Sequence, residues 1–238
     1  MFEHHSFPLN PVEFFSLSCD CYHLPEDRRG FLLSDEIIGS DTSSQARSFG
    51  VSDISTLSLN EYILPSTHDL TGEEAFAKLA IAWSEEGLRL LIQVNQTATQ
   101  SSYPNIENGD SIELFFDTRD LKSSGFNTRF CHHFFFLPHA VEGVSKGEKT
   151  HFRTEDQHPV CDPESLKCEI QLKTKRYQMK IFIPRQCLHG YDPRQFKRLG
   201  FTYRINRQGG EPQHFSVVSQ DYHIDQQPSL WGSLILRT

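Results

Sequence analysis

Charged side chains crowd the stretch Asp117-Thr118-Arg119-Asp120. Alternate residues of an extended chain share a side, so Asp117 and Arg119 point together if the strand continues. A planar guanidinium beside a carboxylate offers charge-assisted hydrogen bonds in fixed directions, which suits a hydroxyl-rich ligand. A salt bridge fixing the following turn is the structural alternative. A second cluster is Cys131-His132-His133. Adjacent strand residues face opposite ways, so Cys131 and His133 can share a site that His132 cannot join. Further ligands such as Cys168 or His151 would be needed for a soft metal. Hydrogen-bonded histidines are the simpler reading, and no metal-ligand set is expected.

Catalytic patterns are absent. The chain has no G-x-S-x-G elbow, G-x-G-x-x-G turn or P-loop. Glu113 and Asp117 lie four apart on one extended run, about 13 Å along the backbone. That exceeds the roughly 5–9.5 Å between glycosidase carboxyl groups. The chain is therefore expected not to be an enzyme.

These residues need elements to hold them, and the composition favours strands. The 238 residues include 19 Phe and 7 Tyr, in short runs broken by Gly, Pro, Asn and Asp. The stretch 109–138 is central. Ile112, Leu114 and Phe116 alternate with Ser111, Glu113, Phe115 and Asp117, and a second apolar strand covers 129–137. Residues 77–83 and 88–95 form the clearest hairpin, turning at Ser84-Glu85-Glu86-Gly87. A second hairpin is expected over 166–174 and 177–183, then strands at 199–206, 213–220 and 231–236. A first strand over 12–21 would place Cys19 and Cys21 on one face. Residues 24–69 read as irregular structure with short apolar islands at 31–33, 36–38 and 62–64, and 144–164 as a long mobile surface loop. The fold class is all-β, a single antiparallel β-sandwich of jelly-roll or immunoglobulin-like layout. One domain spans 1–238, with its recognisable part at 77–236.

The net charge of −8 and the lack of a basic face argue against nucleic-acid binding. The longest basic run, Lys173-Thr174-Lys175-Arg176, reads as a hairpin turn. No apolar stretch approaches the ~20 residues of a membrane span, and the N-terminus lacks a secretory pattern. A cytoplasmic protein is expected, its six cysteines free and mostly buried.

Five landmarks carry a resemblance: AIAWSEEGLRLLIQV, GDSIELFFDTRD, YQMKIFIP, LGFTYRIN and SLWGSLIL. Together they resemble the family-nine carbohydrate-binding modules and the wider DOMON-like β-sandwich group. The run DTRD…RFCH-x-F-x-FLP, at 117–138, resembles the signature of a bacterial subfamily. The resemblance implies a non-catalytic domain binding a sugar between two tryptophans, with charged groups on its hydroxyls. Trp83 and Trp231 are then the stacking residues, with Asn95, Asp117 and Arg119 as hydrogen-bonding partners. No cofactor is expected. Calcium on Asp110, Asp117 and Asp120 is the alternative, since some relatives bind it. The other readings are a structural or protein-interaction domain without a sugar site, favoured if both tryptophans are buried, and a metal- or haem-binding domain, with Met179 and a histidine on the haem.

Overall fold

The computed structural model describes residues 17–26, 59–219 and 222–238. The expected islands at 31–33 and 36–38, and the start of the expected first strand at 12–16, lie outside them. Among the described residues there are eleven strands and one α-helix, the four-residue α1 (His68–Thr71). The strands are β1 (Ser18–His23), β2 (Ala77–Ser84), β3 (Gly87–Val94), β4 (Ser111–Asp117), β5 (Cys131–Val141), β6 (Val144–Glu148), β7 (Lys167–Lys173), β8 (Arg176–Pro184), β9 (Arg198–Asn206), β10 (Gln213–His214) and β11 (Gly232–Arg237).

Two separate sheets were expected. The strands instead hydrogen-bond along one path, β6-β5-β4-β9-β11-β1-β2-β3-β8-β7, with β10 paired to β9. This single sheet curls nearly into a barrel. Its two edges approach where Lys146 Nζ of β6 donates to the Leu166 carbonyl just before β7, at 2.6 Å. β1 runs parallel to both β11 and β2, while the other pairings are antiparallel.

The period of two decides what lies inside. Leu79, Ile81 and Trp83, Leu88, Leu90 and Ile92, Ile112, Leu114 and Phe116, and Leu199, Phe201 and Tyr203 meet in one core. Met179 also lies in that core, fully buried. The β2–β3 turn is tight because Gly87 sits at φ +142°, where a Cβ would fall 2.2 Å from the Ile183 carbonyl oxygen. Only glycine allows that approach.

Three expectations change. Within the described residues of the expected strand 213–220, the strand covers only Gln213–His214. Ser216 then turns the chain with φ +71°, a conformation that a strand cannot continue through. The segment 144–164 begins as β6 rather than as loop. The cysteines are not all free: Cys161 and Cys187 form a disulfide, leaving Cys19, Cys21, Cys131 and Cys168 as thiols. No pattern in the sequence announces that bond, because the curl of the sheet brings the two cysteines together.

Candidate functional site

The outer face of β4, β5 and β9 carries a buried charged network. β4 places Glu113 opposite Arg204 of β9 on one side and opposite Phe135 of β5 on the other. Arg204 Nε donates to Glu113 Oε1 at 2.6 Å and Nη2 to Oε2 at 2.9 Å, a two-pronged pair. His133 Nε2 donates to Oε2 at 2.8 Å, and Asn206 Nδ2 to Oε1 at 2.7 Å. Asn206 also reaches Ser111 Oγ at 2.8 Å, which itself donates to the Ile106 carbonyl. Burial opposes ionisation of Glu113, but the hydrogen bonds and charges of His133 and Arg204 outweigh it. They hold the carboxyl well below the usual glutamate range. Within the network the Arg204 side chain reaches solvent, at 17% exposure.

Aromatic rings border this network on two sides. Tyr103, 42% exposed, stacks on Phe135, the cross-strand neighbour of Glu113, with centroids 5.9 Å apart. On the other side Phe115 contacts His133 and Trp231, at 4.2 and 5.8 Å between centroids. Trp231 Nε1 donates to the Ile224 carbonyl at 2.7 Å, and Ile224 N to the Tyr222 carbonyl at 2.9 Å. Ile224 packs with Phe115 and Trp231, and Tyr222, two residues before it, is 39% exposed. Asp225, which follows Ile224, acts electrostatically on Arg204.

The residues expected to bind ligand are dispersed. Trp83 (3% exposed) is in the central core, where its indole donates to the Arg237 carbonyl. Trp231 (1% exposed) belongs to the separate outer-face cluster. Phase along the strand put Trp83 inside, and the two indoles do not form a clamp. Asn95 is exposed and follows β3, whose last residue Val94 pairs with Ala77 and Tyr177. That end of the sheet is opposite to the one holding Asp117. Asp117 and Arg119 are brought together, but for structural purposes. Asp117 accepts the Arg119 and Leu121 N–H groups at 2.9 and 2.6 Å, fixing the turn after β4. Burial, opposed by those N–H bonds and reinforced by Asp120, raises the Asp117 carboxyl above its usual value. The Arg119 guanidinium lies between Phe196 and Phe130, 3.6 and 4.4 Å from the ring centroids, and donates to the Thr118 and Gly190 carbonyls. It lines an open cleft of about 590 Å³ with Gln186, His189, Asp192 and Gln195.

Asp110 lies at the other end of β4 from Asp117 and Asp120. Its carboxylate accepts the Thr99, Gln100 and Gln208 N–H groups, so the three aspartates share no site. Cys131 and His133 do face one side, as alternation predicts. His132 faces the other, and it is His132 that has potential metal-ligating company. It lies with Glu148 and His158, one ligand atom from each within 4.8 Å of the others. In the sequence, Glu113 and Arg204 stand only as charges in the middle of apolar strands. That is a usable signal, but their pairing depends on which strands are neighbours.

The fold is thus a nearly closed all-β sheet with a buried charged network on the outer face of β4, β5 and β9. The sequence profile described as "Carbohydrate family 9 binding domain-like" matches residues 52–238, and the chain belongs to that family. Among solved structures, it is similar to a carbohydrate binding module family 9 from Caldicellulosiruptor kristjanssonii in complex with glucose. Identity is 15% and the TM-score 0.54, over 82% of this chain and 92% of that one. A module of the same description and organism in complex with cellotriose gives 18% and 0.52, over 68% and 74%. No curated protein matches the sequence.

Proposed function

We propose that this chain is a non-catalytic carbohydrate-binding domain whose sugar lies on the outer face of β4, β5 and β9. The observation that carries this reading is the Glu113–Arg204 pair, fully buried at the carboxylate and 17% exposed along the arginine side chain. Such a pair presents preorganised donors to sugar hydroxyls. Tyr103 and Tyr222 take the stacking role that the resemblance assigned to tryptophan, offering π faces to a pyranose ring. Family membership supports the ligand class. Asp117, Arg119 and Asn95 then support the face or lie away from it.

The two halves of the curled sheet serve as the faces of a DOMON-like sandwich, and residues 1–238 work as one domain. No helix among the described residues is long and apolar enough to cross a membrane. The Cys161–Cys187 disulfide favours an oxidising compartment over the cytoplasm.

Calorimetric titration with glucose and cellotriose tests the reading. Saturable binding is expected, weakened at least tenfold in Tyr222→Ala and in Arg204→Lys, which keeps the charge but loses the fork. The burial of both indoles favours a second reading, a protein-interaction domain. No heat with any sugar in a panel of mono- and oligosaccharides would select it.

A further inference from the structure

A buried cluster of ligating side chains lies away from the proposed sugar face. His132 points from β5 into the side opposite His133, where its ring stacks on Phe134 at 5.6 Å. Glu148 ends β6, and His158 comes from the connection between β6 and β7. All three side chains are 0–2% exposed. We infer that His132, Glu148 and His158 form a binding site for a divalent transition metal of the zinc class.

The geometry is close to a coordination sphere. Glu148 Oε1 is 2.8 Å from His132 Nδ1 and 3.5 Å from His158 Nε2. Two ligands each about 2.0–2.1 Å from a tetrahedral zinc stand about 3.3 Å apart, and both separations from Glu148 lie within an ångström of that value. Two nitrogens and one oxygen suit zinc better than calcium or magnesium, which take oxygen shells.

The surroundings hold these ligands in orientation. Glu148 Oε2 accepts the Cys161 N–H at 2.6 Å, and Oε1 accepts the Thr150 hydroxyl at 2.7 Å. His158 Nδ1 donates to the Pro159 carbonyl at 2.9 Å, which directs Nε2 to the cluster. Such outer hydrogen bonds are typical of metal-bound histidines and carboxylates. Nε2 of His158 lies 3.5 Å from Glu148 Oε1 and 3.1 Å from the Cys131 carbonyl oxygen, with the His132 ring beside it at 4.3 Å between centroids. His132 Nε2 is buried beside the His189 backbone and makes no hydrogen bond of ordinary geometry there. If Nδ1 took the metal, Nε2 would carry the ring proton toward that backbone. A cavity of about 350 Å³, lined by His158, Cys161, Cys187 and His189, opens beside the cluster on its His158 side.

The site would have a structural purpose. Residues 149–162 contain no helix or strand, and their attachments include the Cys161–Cys187 disulfide, an Arg129–Asp156 ion pair and the Asn127 bond to the His151 carbonyl. A metal on His158 would clip this segment to β5 and β6.

The test uses the tag-free full-length protein, stripped with chelator and titrated with zinc. One equivalent should bind, and nitrogen NMR should show the imidazole signals of His132 and His158 moving while those of His133 and His214 stay. Cobalt substitution should give the visible absorption of a tetrahedral nitrogen–oxygen site. Glu148→Gln and His158→Gln should each weaken binding at least a hundredfold, whereas His68→Gln, at an exposed histidine, should not. The inference is overturned by no stoichiometric zinc, or by zinc that leaves the two imidazoles unmoved. The NMR readout decides even where a variant does not fold. Sugar titration is independent of it, so either proposal can fail alone.

Discussion

Glu113 is a carboxylate whose whole environment assumes that it is charged. Its carboxyl is held below the ordinary value of about 4.3. An unfolded chain therefore binds the proton first as pH falls. The stabilisation is fully present above that value and is lost as pH drops toward the folded one. Acid titration of urea stability should show this limb, and Glu113→Gln should flatten it. The same change should cost about 3–5 kcal/mol at neutral pH, because it leaves a largely buried guanidinium unpaired. The tryptophans give a second expectation. Both are buried, so emission should be blue-shifted, and Trp83→Ala should cost about 3–5 kcal/mol as a core truncation without abolishing sugar binding. A red-shifted spectrum from the native protein would contradict the packing. At this scale the sequence showed the phase of Trp83 and the alternation of Cys131, His132 and His133. It could not show that Glu113 meets Arg204, 91 positions later, since no local pattern encodes the neighbour of a strand.

Strands and their turns carry the next set of consequences. The β2–β3 and β7–β8 hairpins and β4 were legible because alternation and turn residues are local. The short β10 was not, because the positive φ at Ser216 gives a serine no distinguishing mark in sequence. Strand order was also hidden, as it follows from long-range packing. Two connections should prove sensitive. Gly190 has φ +76°, and a Cβ there would come within 2.7 Å of the Phe130 ring and 3.1 Å of Arg119 Nη2. Gly190→Ala should cost about 1–3 kcal/mol by strain and overpacking, read as a lowered urea midpoint. Removing the Cys161–Cys187 bond, which closes a 26-residue separation, should cost about 3 kcal/mol. Limited proteolysis should then cut first within 149–162.

At the scale of the molecule, β1 joins the two halves of the sheet, lying between β11 and β2. It also precedes the stretch of 52–238 that matches the family. A chain lacking residues 1–24 should expose two unpaired strand edges and associate, seen as a shift to larger species by size-exclusion chromatography. The parallel pairing has a mechanical consequence too. Ser18 pairs with Ser233 and Tyr22 with Arg237, so the first and last strands among the described residues run side by side in one direction. A pull on the two ends would slide these strands past each other and load their ladder together, instead of opening it bond by bond. Tethered at both ends, the protein should resist stretching far better than a hairpin of equal length, in the manner of a lap joint.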